Sequence, residues 1–156
     1  ILKNPATTNT TYPSHKSALL EIANGLIGIC SETGEEKIKS VFVAQDPKLE
    51  ESQFSQNSIA DFKANIKGAE MVYLGNYRES GVSLSAWVQI HNKSLDIRIK
   101  AAFGEAHAAL SQVTDPFGIA ISTQPNAINN AIVKIAALAP LMDRELVPLI
   151  HLKVVD

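Results

Sequence analysis

The stretch LDIRIKAAFGEAHAALSQV, residues 95–113, decides the fold class. Its apolar side chains recur every three or four residues, which places them on one face of a helix. They are Leu95, Ile99, Ala102, Phe103, Ala106, Leu110 and Val113. The run DPFG that follows ends the helix, because proline and the residue before it both resist continuing one. The sequence therefore predicts a long amphipathic helix here.

The same helical period occurs on both sides of this segment. Residues 14–39 and 58–75 each carry one apolar face, and a last helix opens at residue 124 and runs towards the C-terminus. A shorter element is predicted around residues 84–90, and no segment shows the two-residue period of a strand. Long amphipathic helices with fairly short links favour an all-α, four-helix-bundle-like domain over residues 15–156.

Local signals predict how these helices begin and end. Ser14 is the expected N-cap of the first helix, and Ser58 with Asp61 three residues later resembles a capping box at the second. Gly75 is a natural stop, and Pro140 is expected to kink the last helix. Residues 1–14 contain two prolines and several Thr and Asn residues, which predicts a linker or an extended arm.

Bulk composition excludes several functional classes. The chain has 156 residues, a formal net charge of −2 and a pI near 6.1, so no electrostatic footprint for nucleic acid is present. No basic run suits a polybasic membrane patch, and the apolar runs are too short to span a bilayer. We expect one domain with no nucleic-acid partner and no transmembrane segment.

Metal and nucleophile motifs are missing from the chain. The single cysteine, Cys30, lies on the apolar stripe of the first helix and is predicted to be a buried small hydrophobe. No two histidines have the spacing that places a pair of ligands on one helix face; they are His15, His91, His107 and His151. His107 is predicted to be a boundary residue, and no nucleophile elbow or phosphate loop occurs.

The stretch EESQFSQNSIADF, residues 50–62, gathers the candidate site residues. Groups able to bind a ligand are concentrated here next to a helix N-terminus, where free N–H groups also point outwards. They are Glu51, Ser52, Ser55, Asn57 and Asp61. The same residue types cap helices and favour the positive end of the helix dipole, so composition alone leaves capping and ligand binding both open.

This polar stretch and its surroundings resemble the imelysin-like family, peptidase family M75. The resemblance rests on Glu51-Ser52, Phe54-Ser55, Asp61-Phe62, Asn65, Gly68 and the run 73–75, and extends over about residues 15–152. It implies a helical, two-part protein of the bacterial periplasm or outer surface, often a lipoprotein, associated with iron uptake. It also implies that Glu51, Ser52, Ser55 and Asp61 face the other half across a cleft.

The chain departs from the family in one respect, which is the absence of the G-x-H-x-x-E motif of the first half. The run GEAHAAL, residues 104–110, has its Gly and His in another register and lacks the Glu. By resemblance, iron or zinc would bind only together with the missing half, and no cofactor site lies within this chain alone. The start ILKNPATTNTTYP leads us to expect a fragment or a cleavage product.

Two functions follow from the resemblance. The first is binding of iron, or of an iron-bearing ligand, in a cleft shared with an N-terminal imelysin-like half, with iron-transport components as further partners. The second is half of a zinc metallopeptidase of the M75 type. We favour binding, because a catalytic zinc usually takes three protein ligands, and H-x-x-E supplies too few. A third interpretation is a structural half-bundle whose polar loop only caps a helix.

Overall fold

The computed structural model describes residues 6–77, 79–80 and 83–155, and its first long helix is built in three pieces. These are α1 (His15–Ser31), a π-helical segment (Glu32–Lys39) and α2 (Ser40–Ala44). The Ser14 side chain accepts a hydrogen bond from the backbone N–H of Ser17, and Ser17 Oγ accepts one from the N–H of Ser14. The predicted N-cap is therefore present, and the helix continues past Lys39 to Ala44.

The rest of the chain is also mostly helical. In chain order it contains a 3₁₀ turn (Pro47–Leu49), α3 (Ser58–Leu74), β1 (Asn76–Tyr77), β2 (Glu79–Ser80), α4 (Leu84–His91), α5 (Lys93–Ser111), α6 (Phe117–Thr123), α7 (Pro125–Ala136), α8 (Leu138–Leu141), a second π-helical segment (Met142–Leu146) and α9 (Val147–Lys153). The two strands are antiparallel, with Asn76 opposite Ser80. Gly75 ends α3 in the left-handed conformation, as the sequence predicts.

The long helices α1, α3, α5 and α7 surround one apolar core. Helix α5 packs against α7, α3 and α4, while α1 packs against α3 and α8. The largest fully buried side chains include Tyr73, Phe62, Phe103 and Phe117. Phe62 and Phe117 meet edge to face with ring centroids 5.2 Å apart, a favourable aromatic geometry. The all-α, four-helix-bundle-like prediction is confirmed.

Proline interrupts the last helix, as predicted, although the break lies before the proline itself. Helix α7 ends at Ala136, and α8 restarts with Pro140 in its first turn. Proline has no N–H to donate to the carbonyl four residues earlier, and its ring collides with that carbonyl. For Pro140 that carbonyl belongs to Ala136, so the helix breaks there.

The described part of the N-terminal arm is not helical. Residues 6–13 form turns closed by backbone hydrogen bonds from Ala6 to Tyr12 and from Asn9 to Ala6. Residues 1–5 lie outside the described residues, so the assignment of 1–14 as a linker stays a prediction. Nowhere in the described ranges does a helix combine the length and the apolar character needed to cross a bilayer.

Candidate ligand-binding loop

The polar stretch forms a compact loop between the 3₁₀ turn and α3, and residues 50–57 are here called the polar loop. Its chain reverses at Gln56, whose φ of 56° lies in the left-handed region. The backbone N–H of Gln56 donates to the carbonyl of Ser52 at 2.9 Å, which closes the turn. This bond fixes the conformation of the loop.

Two bonds between a hydroxyl and a carboxylate fasten the polar loop to the start of α3. Ser58 Oγ donates to Glu50 Oε2 at 2.6 Å, and this bond is buried. Ser52 Oγ donates to Asp61 Oδ2, and the Ser52 N–H donates to Ser58 Oγ at 3.2 Å. Hydrogen bonds to carboxylates are among the stronger ones, so these contacts stabilise the conformation of the loop.

The predicted capping box of Ser58 and Asp61 is wrong. Helix α3 already begins at Ser58, and the N-cap position belongs to Asn57, whose side chain makes no capping bond. Ser58 and Asp61 turn instead towards Glu50 and Ser52 of the loop. The spacing of the two residues is the same in both arrangements, so the sequence pattern could not distinguish them.

Helix α6 lies tightly beneath the polar loop. A Cβ atom added to Gly118 would lie 2.8 Å from Glu50 Oε1 and 3.0 Å from Pro47 Cβ, closer than side chains normally approach. A larger residue at position 118 would therefore require the Glu50 side chain or Pro47 to shift. Sequence reasoning missed both Glu50 and Gly118, because no local spacing connects residues so far apart in the chain.

The outer edge of the loop is tied to the first π-helical segment. Lys37 Nζ lies 2.9 Å from Glu51 Oε1 and 3.4 Å from Glu32 Oε1. The hydrogen bond to Glu51 raises the pKa of Lys37 above its ordinary value, although partial burial acts in the opposite direction. Lys37 therefore stays charged and forms an ion pair with Glu51. This lysine was also missed by sequence reasoning.

The tip of the loop presents an apolar ring to solvent. The Phe54 side chain is 99% exposed, and its neighbour Ser55 is exposed as well. Ser55 Oγ donates to the carbonyl of Ser52 at 3.3 Å, a long bond that leaves the hydroxyl available to other partners. An aromatic side chain this exposed gains nothing from the core of its own domain.

The structure places the predicted site residues in one region, but they make different contacts. Ser52 and Asp61 bond to each other, Glu51 pairs with Lys37, and Ser55 and Asn57 are exposed. Within the described residues, no group of three or more His, Cys, Asp or Glu side chains could hold a metal ion.

The other singled-out side chains behave as predicted. Cys30 is fully buried, and burial raises the pKa of its thiol to about 12, so it stays protonated as a small hydrophobe. His107 sits at the boundary, with Nε2 3.2 Å from Glu70 Oε2. Glu70 is partly buried, which opposes ionisation, but hydrogen bonds from Lys67 and His107 hold its pKa below the usual range.

Taken together, the fold and the loop define an all-α module with a rigid polar loop at the start of α3. The family model described as Imelysin matches residues 2–144. The chain therefore belongs to the imelysin family, which confirms the resemblance seen in the sequence.

Three relatives show how this chain compares with known proteins. Iron-regulated protein A of Synechococcus elongatus is 30% identical over 97% of this chain and 44% of its own length. The crystal structure of an imelysin peptidase from Bacteroides ovatus superposes with a TM-score of 0.81 at 26% identity, over 90% of this chain and 42% of that one. A putative iron-regulated protein A precursor from Parabacteroides distasonis shares the fold, with a TM-score of 0.79 at 23% identity, over 96% and 45%. The chain thus spans less than half the length of each of these relatives.

Proposed function

We propose that this chain is the C-terminal part of a bacterial envelope protein of iron uptake. In this proposal, the polar loop and Asp61 form one wall of a cleft that binds iron or an iron-bearing ligand. Membership in the imelysin family supports an iron-related role, as does the similarity to a protein named iron-regulated protein A. The other wall of the cleft would come from an N-terminal half that carries G-x-H-x-x-E, and transport components of the envelope would receive the cargo.

One observation carries this proposal: the polar loop is fixed from beneath while its tip stays exposed. The bonds of Glu50 to Ser58 and of Ser52 to Asp61 hold the loop, while the Phe54 side chain at its tip is 99% exposed. A loop that only capped α3 would place a capping side chain at Asn57. The Asn57 side chain makes no such hydrogen bond, so capping does not explain the arrangement. Binding sites work best when supporting hydrogen bonds fix the contacting groups in advance.

The chemistry of the loop suits a hard cation only in part. Carboxylate and hydroxyl oxygens, such as those of Glu51 and Asp61, are ligands for hard metal ions. Glu51 is already paired with Lys37, and Asp61 already accepts from Ser52. In our proposal these groups complete a coordination sphere whose remaining ligands belong to the N-terminal half, or they bind the polar shell of an iron-bearing ligand.

Calorimetric titration of the full-length gene product with ferrous sulfate under anaerobic conditions tests this function. We expect Glu51→Gln and Asp61→Asn each to weaken iron binding about tenfold or more, the range found when metal-site contacts are removed. Glu105→Gln is a matched control, because Glu105 also pairs with a lysine at 2.9 Å on the helix surface, away from the loop. Equal affinity in all four proteins would overturn the site assignment.

The alternative, half of a zinc metallopeptidase, is supported by the description of the Bacteroides ovatus relative as an imelysin peptidase. It requires that the His and Glu of the N-terminal half bind zinc and that the carboxylates of this chain orient the metal or its water. Turnover of denatured casein by the zinc-loaded full-length protein, lost on chelation and restored by zinc, would support it. Iron binding without any such turnover would support the binding function and contradict the peptidase function.

A further inference from the structure

A hollow of about 440 Å³ lies next to the polar loop, and it is here called the charged hollow. One wall is formed by the end of the loop and the first two turns of α3, from Gln56 to Lys63. The other wall is formed by residues 111–116, which are the end of α5 and its link to α6. Its lining does not include Glu51 or Asp61, so it is distinct from the iron site proposed above.

The charged hollow is lined by one basic and one acidic side chain, one from each wall. They are Lys63 on α3 and Asp115 on the link, and both are half-buried. In the part of the chain that the structure describes, neither forms an ion pair, with the other or with any third group. A charge that is partly removed from water is stabilised by an opposite charge. A molecule bound in the hollow could supply that charge to both residues.

The acidic wall of the hollow is held in place by hydrogen bonds. Thr123 Oγ1 donates to Asp115 Oδ2 at 2.8 Å, while Oδ1 of the same carboxylate accepts from no described residue. Gln124 Oε1 accepts from the backbone N–H of Thr114 at 2.9 Å and from that of Asp115 at 3.3 Å. The carboxylate therefore keeps one oxygen for a ligand while its own position is fixed, an arrangement that favours binding.

The rest of the lining contains both apolar and amide groups. Ile59 and Val113 contribute aliphatic side chains, and Val113 is buried. Gln56 and Asn57 contribute amides, which can donate and accept hydrogen bonds. A hollow of this volume suits a small molecule rather than a single ion. An aliphatic segment of such a molecule can pack against the apolar lining while its polar ends reach the two charges.

We propose that the charged hollow binds a small zwitterion in which an aliphatic segment joins one carboxylate to one ammonium group. The carboxylate pairs with Lys63 Nζ, and the ammonium group donates to Asp115 Oδ1. The two opposite charges also exclude simpler ligands, because a carboxylate alone would leave Asp115 unpaired and an amine alone would leave Lys63 unpaired. Specificity of this kind depends on what is left unpaired as well as on new contacts. The site does not depend on iron at the polar loop.

Calorimetric titration of the full-length gene product with ω-amino acids, without added iron, tests this site. The series from glycine to 6-aminohexanoate provides zwitterions with increasing separation of the two charges. Alkyl carboxylates and alkyl amines of the same lengths carry only one of the charges. Lys63→Met and Asp115→Asn each remove one charge at nearly constant size. Lys67→Met is the matched control, since Lys67 lies one turn further along α3, pairs with Glu70 and does not line the hollow.

We expect at least one ω-amino acid to bind, and the carboxylate and amine of the same length to bind about tenfold more weakly or less. Lys63→Met and Asp115→Asn should each weaken that ω-amino acid by about tenfold or more, because each removes a hydrogen bond between charged groups. Lys67→Met should leave its affinity unchanged.

Three results would overturn the inference. They are no binding by any member of the series, equal affinity for the probes that carry a single charge, and unchanged affinity in either hollow variant. The titration contains no iron, so its failure and a failure of iron binding at the polar loop are separate results.

Discussion

At the scale of single residues, Asp96 is a buried carboxylate that accepts hydrogen bonds from side chains of several helices. It is 1% exposed and accepts hydrogen bonds from Tyr73 of α3 at 2.9 Å and from Ser85 of α4 at 2.7 Å. Lys100, one turn further along α5, reaches its other oxygen at 2.7 Å. Three helices are thus joined at one charged group. A buried charge is tolerated when it is paired and fully hydrogen-bonded in this way.

Asp96 makes the stability of the domain depend on pH. Burial by itself would raise the pKa of Asp96, but the hydrogen bonds from Lys100, Ser85 and Tyr73 outweigh it and hold the pKa below the ordinary value. A carboxyl whose pKa is lower in the folded state contributes stability above its unfolded pKa, about 3.9. That contribution is lost as the pH falls through the folded pKa.

We therefore expect Asp96→Asn to lower the free energy of unfolding at pH 7 by about 1–3 kcal/mol, because it removes a charge that three donors share. The difference from the wild type should shrink as the pH falls below about 4. Urea unfolding at pH 7 and at several values below pH 4 measures both effects. A Glu105→Gln control, at an exposed ion pair, should change stability little, and a pH-independent difference for Asp96→Asn would contradict the argument.

At the scale of secondary-structure elements, the sequence predicted the helices well, because their apolar residues follow the helical period. It predicted the breaks at Asp115-Pro116 and Pro140 for the equally local reason that proline cannot continue a helix. It did not predict the π-helical segments, since a spacing of three or four residues indicates a helix but does not show where a turn holds one extra residue. Lys37 lies in one of these segments, so the contact of Lys37 with Glu51 was not predicted either.

The polar loop was predicted as a site by its residue types, but its construction was not. The bond of Ser58 to Glu50 spans eight residues, and the contact of Gly118 with the same glutamate joins elements far apart in the chain. Periodicity and spacing report on neighbours along one helix, so they cannot show which elements meet in three dimensions. The family resemblance located the loop, and the structure shows what supports it.

The packing of α6 beneath the polar loop leads to a prediction at the same scale. Gly118→Ala would place a methyl group 2.8 Å from Glu50 Oε1 and 3.0 Å from Pro47, so α6 or the loop must shift. We expect the free energy of unfolding to fall by about 1–3 kcal/mol, the usual cost of overpacking. Thermal or urea unfolding of the variant measures it.

Gly104→Ala is the matched control for this substitution. A Cβ atom at position 104 would meet nothing within 4 Å, and alanine is the better helix former, so we expect a gain of up to about 1 kcal/mol. The opposite signs at two helical glycines separate steric conflict from helix propensity. A stabilising Gly118→Ala would show that α6 does not approach Glu50 as closely as the structure indicates.

At the scale of the whole molecule, the polar loop is held by two elements that lie on either side of it in the chain. Helix α3 begins at the end of the loop, and its Ser58 and Asp61 side chains bond to Glu50 and Ser52. The first helix continues into the π-helical segment whose Lys37 contacts Glu51. In the function proposed above, a second part of the protein covers the exposed tip of the loop and completes the binding cleft.

The proposed function predicts that the exposed Phe54 anchors this second part to the polar loop, and this prediction can be tested without any ligand. Because the ring is 99% exposed, we expect Phe54→Ser to leave the free energy of unfolding of this chain within about 0.5 kcal/mol of wild type. Exposed aromatic residues that fill a partner's pocket often carry about 2 kcal/mol of binding energy, so association with a separately produced N-terminal portion should weaken about thirtyfold. Urea unfolding and sedimentation velocity measure the two quantities. Ile90→Ser is the control, since Ile90 is 80% exposed on α4, outside the polar loop, and should change neither quantity. A large loss of stability, or unchanged association, would show that Phe54 is not such an anchor.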